Sequence, residues 1–311
     1  MMSISNEQII QKTLTTSGVT AGLLNPEQAQ KFIKQTFDAT PLGPLTRNVL
    51  RKSKTGEIDK IGIASRILRK KTENVDDNYR AKPTFSKIEY ATTAVRLPWE
   101  ITEETLRENI EGQQLEEIVT NLMTAQVGVD IEDLAINGDT EIAETDEDYD
   151  FLKINDGWLK QLLDGAHVED RSSKSSGAMK IDVYYDALKL MPNKYNNGKL
   201  RWLMSPKRKQ EWDKYLLDKV ITVGGGVTDA IMNSPAAIPS IEVPSLPDSN
   251  IILIDPKNLI KVYTYNMIIR KTTEGKEAIM QDKRFYIIHF DFDAVIEELD
   301  AAVVIKGLAS I

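Results

Sequence analysis

Cysteine is absent from the 311 residues. This excludes disulfides, thiolate metal sites and cysteine nucleophiles, and fits an intracellular or redox-indifferent setting. Histidine is nearly as scarce, with only His167 and His289, so an imidazole-based centre has little to draw on. No segment approaches the roughly 20 apolar residues that a bilayer crossing takes. Met1 to Gln11 carries neither the basic part nor the apolar run of a signal peptide, and no membrane partner is expected. Gly-x-Ser-x-Gly and His-Glu-x-x-His are both missing. What remains is 41% hydrophobic and 28% charged, an ordinary globular composition with length for one large core or two to three modest ones.

Charge is present in quantity and unevenly placed. From Arg47 to Lys87 twelve Lys/Arg face five Asp/Glu, whereas Glu100 to Asp150 holds seventeen Asp/Glu and the single base Arg107. Neighbouring blocks of opposite sign serve one compact subunit poorly but suit one copy laid across the next, because such charge steers and registers association. The formal net charge of −8 disfavours non-specific adhesion to DNA, since phosphate contact needs a positive surface.

Along the chain, residues 1 to about 24 are polar and aperiodic, as in a flexible arm. Asn25 as N-cap, Pro26 at the first helical position and Gln28 completing a capping box predict a short helix. Phe32, Ile33 and Phe37 would give that helix one apolar face, too short to stand alone. Ile58–Leu68 and Thr84–Leu97 read as the strands of a long hairpin with a basic tip. Neither strand shows an apolar face that could build a core. Thr102 is a plausible N-cap, with Glu103 and Glu104 in the first turn where the helix dipole favours them. Leu106, Ile110, Leu115, Ile118, Val119, Leu122, Met123 and Leu134 then recur at helical spacing, predicting one helix over 102–137. Asn137-Gly138-Asp139 ends it, with Asn137 or Gly138 suited to a left-handed cap.

Beyond an acidic loop at 141–156 and a serine-rich excursion at 172–177, helices alternate with short strands over about 178–260, an α/β texture. Helices are expected at 182–195 and 206–219, and strands at 200–204 and 251–254. The stretches 259–270, 278–291 and 301–308 read as further strands. Overall the class is α+β.

Candidate chemistry is thin. Strand alternation would put His289, Asp291 and Asp293 on one face, a conceivable metal site for an acidic hydrolase; the competing reading is a strand with Phe290 and Phe292 in the core and a solvated polar side. Asp146–Asp150 imitates the start of an EF-hand loop but has Phe151 where glycine is needed and Gly157 where glutamate is needed. Gly224–Gly226 lacks the Lys-Ser/Thr of a phosphate loop. No catalytic residue, metal ligand or cofactor site is expected.

The order of these parts is the specific signal. Val95-Arg-Leu-Pro-Trp-Glu-Ile-Thr-Glu-Glu-Thr-Leu106 enters the long helix and Asp133-Leu-Ala-Ile-Asn-Gly-Asp-Thr140 leaves it, while Gly22-Leu-Leu-Asn-Pro-Glu-Gln-Ala-Gln-Lys-Phe32 sits in the arm. Taken in that order, nearly the full chain resembles the major capsid proteins of tailed bacteriophages, the HK97-like fold. The resemblance implies an N-terminal arm at 1–45 and an extended hairpin, the E-loop, at 46–98. It implies a peripheral domain at 99–177 built on a spine helix at 102–137, an axial domain at 178–260, and strands at 261–311 returning to the peripheral domain.

It further implies a homo-oligomer of hexamers and pentamers closing an icosahedral virion shell, assembled in the bacterial host cytoplasm. The expected partners are a separate scaffolding protein, a portal protein and packaged double-stranded DNA held without specific binding. In this fold the E-loop lies over the adjacent subunit's peripheral domain. Basic Arg66, Arg69, Lys70, Lys71, Arg80 and Lys82 would then meet acidic Glu103, Glu104, Glu108, Glu111, Glu116 and Glu117. The encapsulin nanocompartments share the fold and are the near alternative; a tail or baseplate component is a further one.

Overall fold

A computed structural model describes residues 40–62, 67, 68, 70, 80, 82–108, 115–172, 180–223, 234–264 and 268–309. The expected arm helix, most of the hairpin tip, the triple glycine and the serine-rich stretch after Ser172 lie outside these residues.

The first sheet is organised by β11 (Lys283–Ile296). One edge of β11 pairs antiparallel with β4 (Thr93–Thr102). Its other edge pairs with β10 (Ile268–Thr272) and then β9 (Leu259–Thr264), and β1 (Arg47–Arg51) adds parallel to β9. Pro98 is tolerated in β4 because that strand has a partner on one side only. Alternation on β11 sends Tyr286, Ile288, Phe290, Phe292, Ala294 and Ile296 to one face. There they meet Val127, Ile131 and Leu134 of α2 (Leu115–Asn137), which follows α1 (Glu103–Glu108), and Trp158 and Leu162 of α4 (Trp158–Gly165), which follows the single turn α3 (Tyr149–Leu152). Trp99 of β4 stacks on Tyr286 with ring centroids 5.1 Å apart.

The second sheet has the order β5 (His167–Asp170), β12 (Ala302–Lys306), β8 (Ile251–Ile254), β6 (Arg201–Met204), β7 (Ser240–Glu242). Ile252, Ile254 and Val304 join the first core. Ile251, Leu253, Val303 and Ile305 face a second core under α5 (Ile181–Leu190) and α6 (Pro206–Val223). Tyr184 stands edge-on to Trp202 at 4.9 Å and to Trp212 at 5.0 Å. Burial on both faces is why β8 reads as an unbroken apolar run.

The third sheet is the hairpin of β2 (Thr55–Gly62) and β3 (Thr84–Ala91), paired antiparallel with Ile58 opposite Ile88 and Ile61 opposite Phe85.

Several expectations change. The stretch 84–97 is two strands, because Thr92 donates both its N–H and its hydroxyl to the Lys54 carbonyl and the chain then leaves the hairpin for β11. The strand expected from 278 begins at Lys283, after the short helix α7 (Lys276–Gln281) and a left-handed Asp282 at φ 50°. Helix 182–195 ends as an α-helix at Leu190, before Pro192. The C-terminal strand joins the second sheet rather than returning to the first; apolar on both sides, β12 fits a strand between two cores. The segment 102–137 is helical over 103–108 and 115–137, and residues 109–114 lie outside the described part. Neither Asn137 nor Gly138 is left-handed. Gly138 is needed because a Cβ there would meet the Asn155 carbonyl oxygen at 2.3 Å, where the chain crosses Gly157.

Candidate assembly interface

The hairpin has a built foundation. Ile58 and Tyr90 are buried against Ile260, Val262 and Val295, on the face of the first sheet opposite the helices. Tyr90 lies over its cross-strand neighbour Gly56, where a Cβ would come within 2.6 Å of the phenol oxygen. The absence of an apolar hairpin face was therefore a misreading: Ile58, Ile88 and Tyr90 supply one at the base.

Polar contacts fix the same base. Asp293 accepts the Ala91 and Ala294 N–H groups, each at 2.8 Å, and burial pushes its carboxyl above the usual range despite them. Asp291 accepts the Thr264 hydroxyl at 2.8 Å and pairs with Lys54 at 3.3 Å. Lys60 pairs with Glu298, and Arg47 with Glu297 at 2.8 Å. Two of the three residues considered as metal ligands thus tie the hairpin to the sheet. Among the described residues no group of three or more His, Asp or Glu could hold a metal ion.

The acidic helices are partly spoken for within the subunit. Thr102 Oγ1 accepts the Thr105 N–H at 3.2 Å, the expected cap. Arg284 then holds Glu103 through Nε and Nη2, and donates through Nη1 to Glu116 at 2.8 Å; Lys271 donates to Glu116 at 2.5 Å. Arg284 holds the Glu103 carboxyl below its ordinary value. For Glu116 burial works upwards, but the Lys271 hydrogen bond and the two cations bring it below. Both carboxyls are stronger acids folded than unfolded, so the clamp stabilises above the ordinary glutamate value of 4.5 and is lost as pH falls through the depressed folded values. Urea midpoints are expected to drop below about pH 4.5, and to drop less steeply in Arg284→Met. Equal slopes in the two proteins would remove the clamp from this account.

Of the other expected contacts, Lys70, Arg80 and Lys82 are exposed, as are Glu104 and Glu117. Arg66, Arg69, Lys71, Glu111 and the Glu108 side chain lie outside the described residues.

What the sequence reading missed is on α2. Its apolar positions, taken together as a single stripe, form two. Val119 and Met123 pack with Val127, Ile131 and Leu134 on the core. Ile118, Leu122 and Val129 point to solvent, with Ala125 in line between them. The signal was available, since apolar residues all round a helix mean a second buried face.

No family model matches the chain. It is 27% identical over 314 residues to the "Putative prophage capsid protein YqbE" of Bacillus subtilis (strain 168), covering 95% of this chain and 96% of that one. A chain of the satellite phage P4 procapsid superposes with a TM-score of 0.68 at 16% identity, covering 98% of each. The holo-SrpI encapsulin complex of Synechococcus elongatus PCC 7942 gives 0.53 at 11% identity, over 99% of this chain and 96% of that one. The nanocompartment shell therefore shares the fold at a greater distance. A hairpin on a helix-backed sheet, a second sheet between two cores and these full-length superpositions give this chain the HK97-like fold, and over nearly its whole length its sequence is similar to a prophage capsid protein.

Proposed function

We propose that the chain assembles into hexamers and pentamers of an icosahedral phage or prophage head. The observation that carries this reading is a hairpin anchored at its base, with Lys70 and Lys82 exposed beyond it, on a subunit with acidic helices. On this reading 1–45 is the arm, 46–98 the E-loop and 99–177 the peripheral domain. The axial domain takes 178–260 together with β12, and β9–β11 complete the peripheral sheet. Assembly in the host cytoplasm, a separate scaffolding protein, a portal protein and packaged DNA without specific binding belong to the same proposal. The acidity of the chain suits a shell that encloses DNA without trapping it.

The charge contact is narrowed by the clamp. With Glu103 and Glu116 held by Arg284 and Lys271, Glu104 and Glu117 are the described carboxylates of the expected set left to receive a neighbour's Lys70 and Lys82. Exposed pairs contribute only about 0–1 kcal/mol each, so they set register rather than supply the affinity.

Electron microscopy of the purified protein, alone and co-expressed with its genomic neighbours, tests the reading. Closed polyhedra or rings of five and six are expected, and a dispersed monomer under both conditions overturns it. Reversing Arg69, Lys70 and Lys71 to Glu should leave a folded subunit that fails to close, with partial rescue by Glu104→Lys and Glu117→Lys. Normal assembly of the triple reversal would show that these charges do not set register.

A further inference from the structure

A pocket of about 710 Å³ opens where the hairpin base meets the acidic loop. Tyr90 of β3, Asn155 and Asp156 of the loop, Gln161 of α4 and Asp293 of β11 all line it. Its size is that of a small-molecule site. No lysine or arginine is in the lining, whereas Glu57 and Glu89 join Asp156 and Asp293 there. Glu57 and Glu89 stand directly opposite each other across β2 and β3, a placement of like charges that weakens a hairpin. Lys87 pairs with Glu57, which relieves part of that repulsion.

An acidic lining alone does not make a site; Asn155 adds an independent sign of a ligand. It is 5% exposed, and neither its Nδ2 nor its Oδ1 has a hydrogen-bond partner among the described residues. A buried carboxamide left unpaired costs free energy, so its place in a pocket lining points to a polar ligand. Gln161 donates both amide N–H groups, to the Asp156 carbonyl at 2.8 Å and the Ala294 carbonyl at 2.7 Å. What remains on that side chain is Oε1, an acceptor. Asp156 Oδ1 takes the Thr140 N–H and hydroxyl and, at 3.0 Å, Lys160; its Oδ2 takes none of these. Burial, and after it the charge of Asp156, push the Asp293 carboxyl up although two backbone N–H groups work against the rise. The pocket therefore offers acceptors and negative charge, the complement of a cation with several N–H donors.

A bare metal ion is a poor match, since no three carboxylates among the described residues converge as metal ligands do. Tyr90, Ile154 and Val295 in the same lining are instead suited to methylene groups, and an ammonium is attracted to an aromatic face such as that of Tyr90. We infer that this pocket binds a linear polyamine, its ammonium groups accepted by Asn155, Asp156, Gln161 and Asp293 and its methylenes lying on Tyr90, Ile154 and Val295. Bound there, it ties the hairpin base to the acidic loop, α4 and β11 at once. The site lies within one chain, so the inference does not depend on the shell reading.

Spermidine is the probe, titrated into the full chain at low ionic strength and followed by calorimetry and hydrogen exchange. One saturable molecule per chain is expected, with exchange slowed in β2, β3 and residues 138–156 and unchanged in β8. Asn155→Leu, which leaves the net charge alone, should bind at least about tenfold more weakly, the effect of losing one hydrogen bond to a charged group. Asp156→Asn should weaken binding as much, while Asp164→Asn, the same charge change at an exposed position outside the pocket, should not. Spermidine held only by the diffuse field of an acidic protein would bind the parent and Asn155→Leu alike, and that result overturns the inference. So does the absence of saturable binding, and so does magnesium chloride slowing the same amides at the same concentration. Slowed exchange that comes only with assembly, spermidine being without effect, would assign the pocket to a lysine or arginine of a neighbouring copy and likewise overturn it.

Discussion

Replacing Tyr90 by alanine is expected to free the hairpin while leaving the rest of the subunit folded. Tyr90 is 6% exposed and fills the space between Gly56, Ile58 and the sheet residues Ile260, Val262 and Val295. Truncating a buried aromatic costs about 3–5 kcal/mol when the site cannot collapse, and here the loss falls on a foundation with few other apolar members. A two-stranded hairpin without such a foundation is marginal at best in water. The remaining polar ties include Lys54 to Asp291, Lys60 to Glu298 and to the Glu297 carbonyl, and Asp293 to the Ala91 N–H. Two are ion pairs, too weak to replace that burial. Hydrogen exchange should show β2 and β3 losing protection and β8 and β12 keeping theirs, because local openings cost less than global unfolding. Particle yield should fall with it. Unchanged protection at Ile58 and Ile88 would mean that the polar ties alone hold the hairpin. Tyr90→Phe, which removes only a 3.4 Å contact to the Ser53 carbonyl, should be close to the parent.

How far the sequence carried these conclusions depends on the kind of signal. The buried strand at 251–254, the helices starting at Asp182 or just before it and at Pro206, and the Thr102 cap are local patterns, and the structure has them. The hairpin base was hidden because its apolar partners, Ile260 and Val295, lie some two hundred residues away in the chain. The carboxylates of β11 looked like a chemical face for the same reason: nothing in Phe290–Asp293 announces that Lys54, Thr264 and the Ala91 N–H will meet them. The charge blocks predict association between copies. That Glu103 and Glu116 are paired inside the subunit needed the positions of Arg284 and Lys271.

A lysine and a glutamate buried beneath α2 were equally invisible, and they carry the largest expected effect on stability. Lys261 on β9 is 2% exposed and Glu132 on α2 is 1% exposed, both against the main core, with the lysine ammonium 5.7 Å from the centre of the Trp158 ring. Burial lowers the Lys261 ammonium to about 8, and the Glu132 charge works against that fall. Removing one of two opposite buried charges leaves the other in the core without its counter-charge, at a cost on the order of 3–5 kcal/mol, whereas replacing both by apolar groups is often neutral or better. Lys261→Met is therefore expected to destabilise strongly, and Lys261→Met with Glu132→Leu to recover to the parent level or above it. The pH dependence has a definite sign. Between about 8 and the ordinary lysine value of 10.5 the unfolded chain binds the proton that the folded chain has released, so this group makes stability rise with pH across that window. Below it the lysine is charged in both states and its burial cost is paid in full. Urea unfolding at pH 7 and pH 10 should show the parent gaining relative to the double variant, by a free energy on the order of 3 kcal/mol from about 1.4 kcal/mol for each pKa unit. If the two proteins run parallel in pH, Lys261 keeps its proton in the folded state and burial does not lower it.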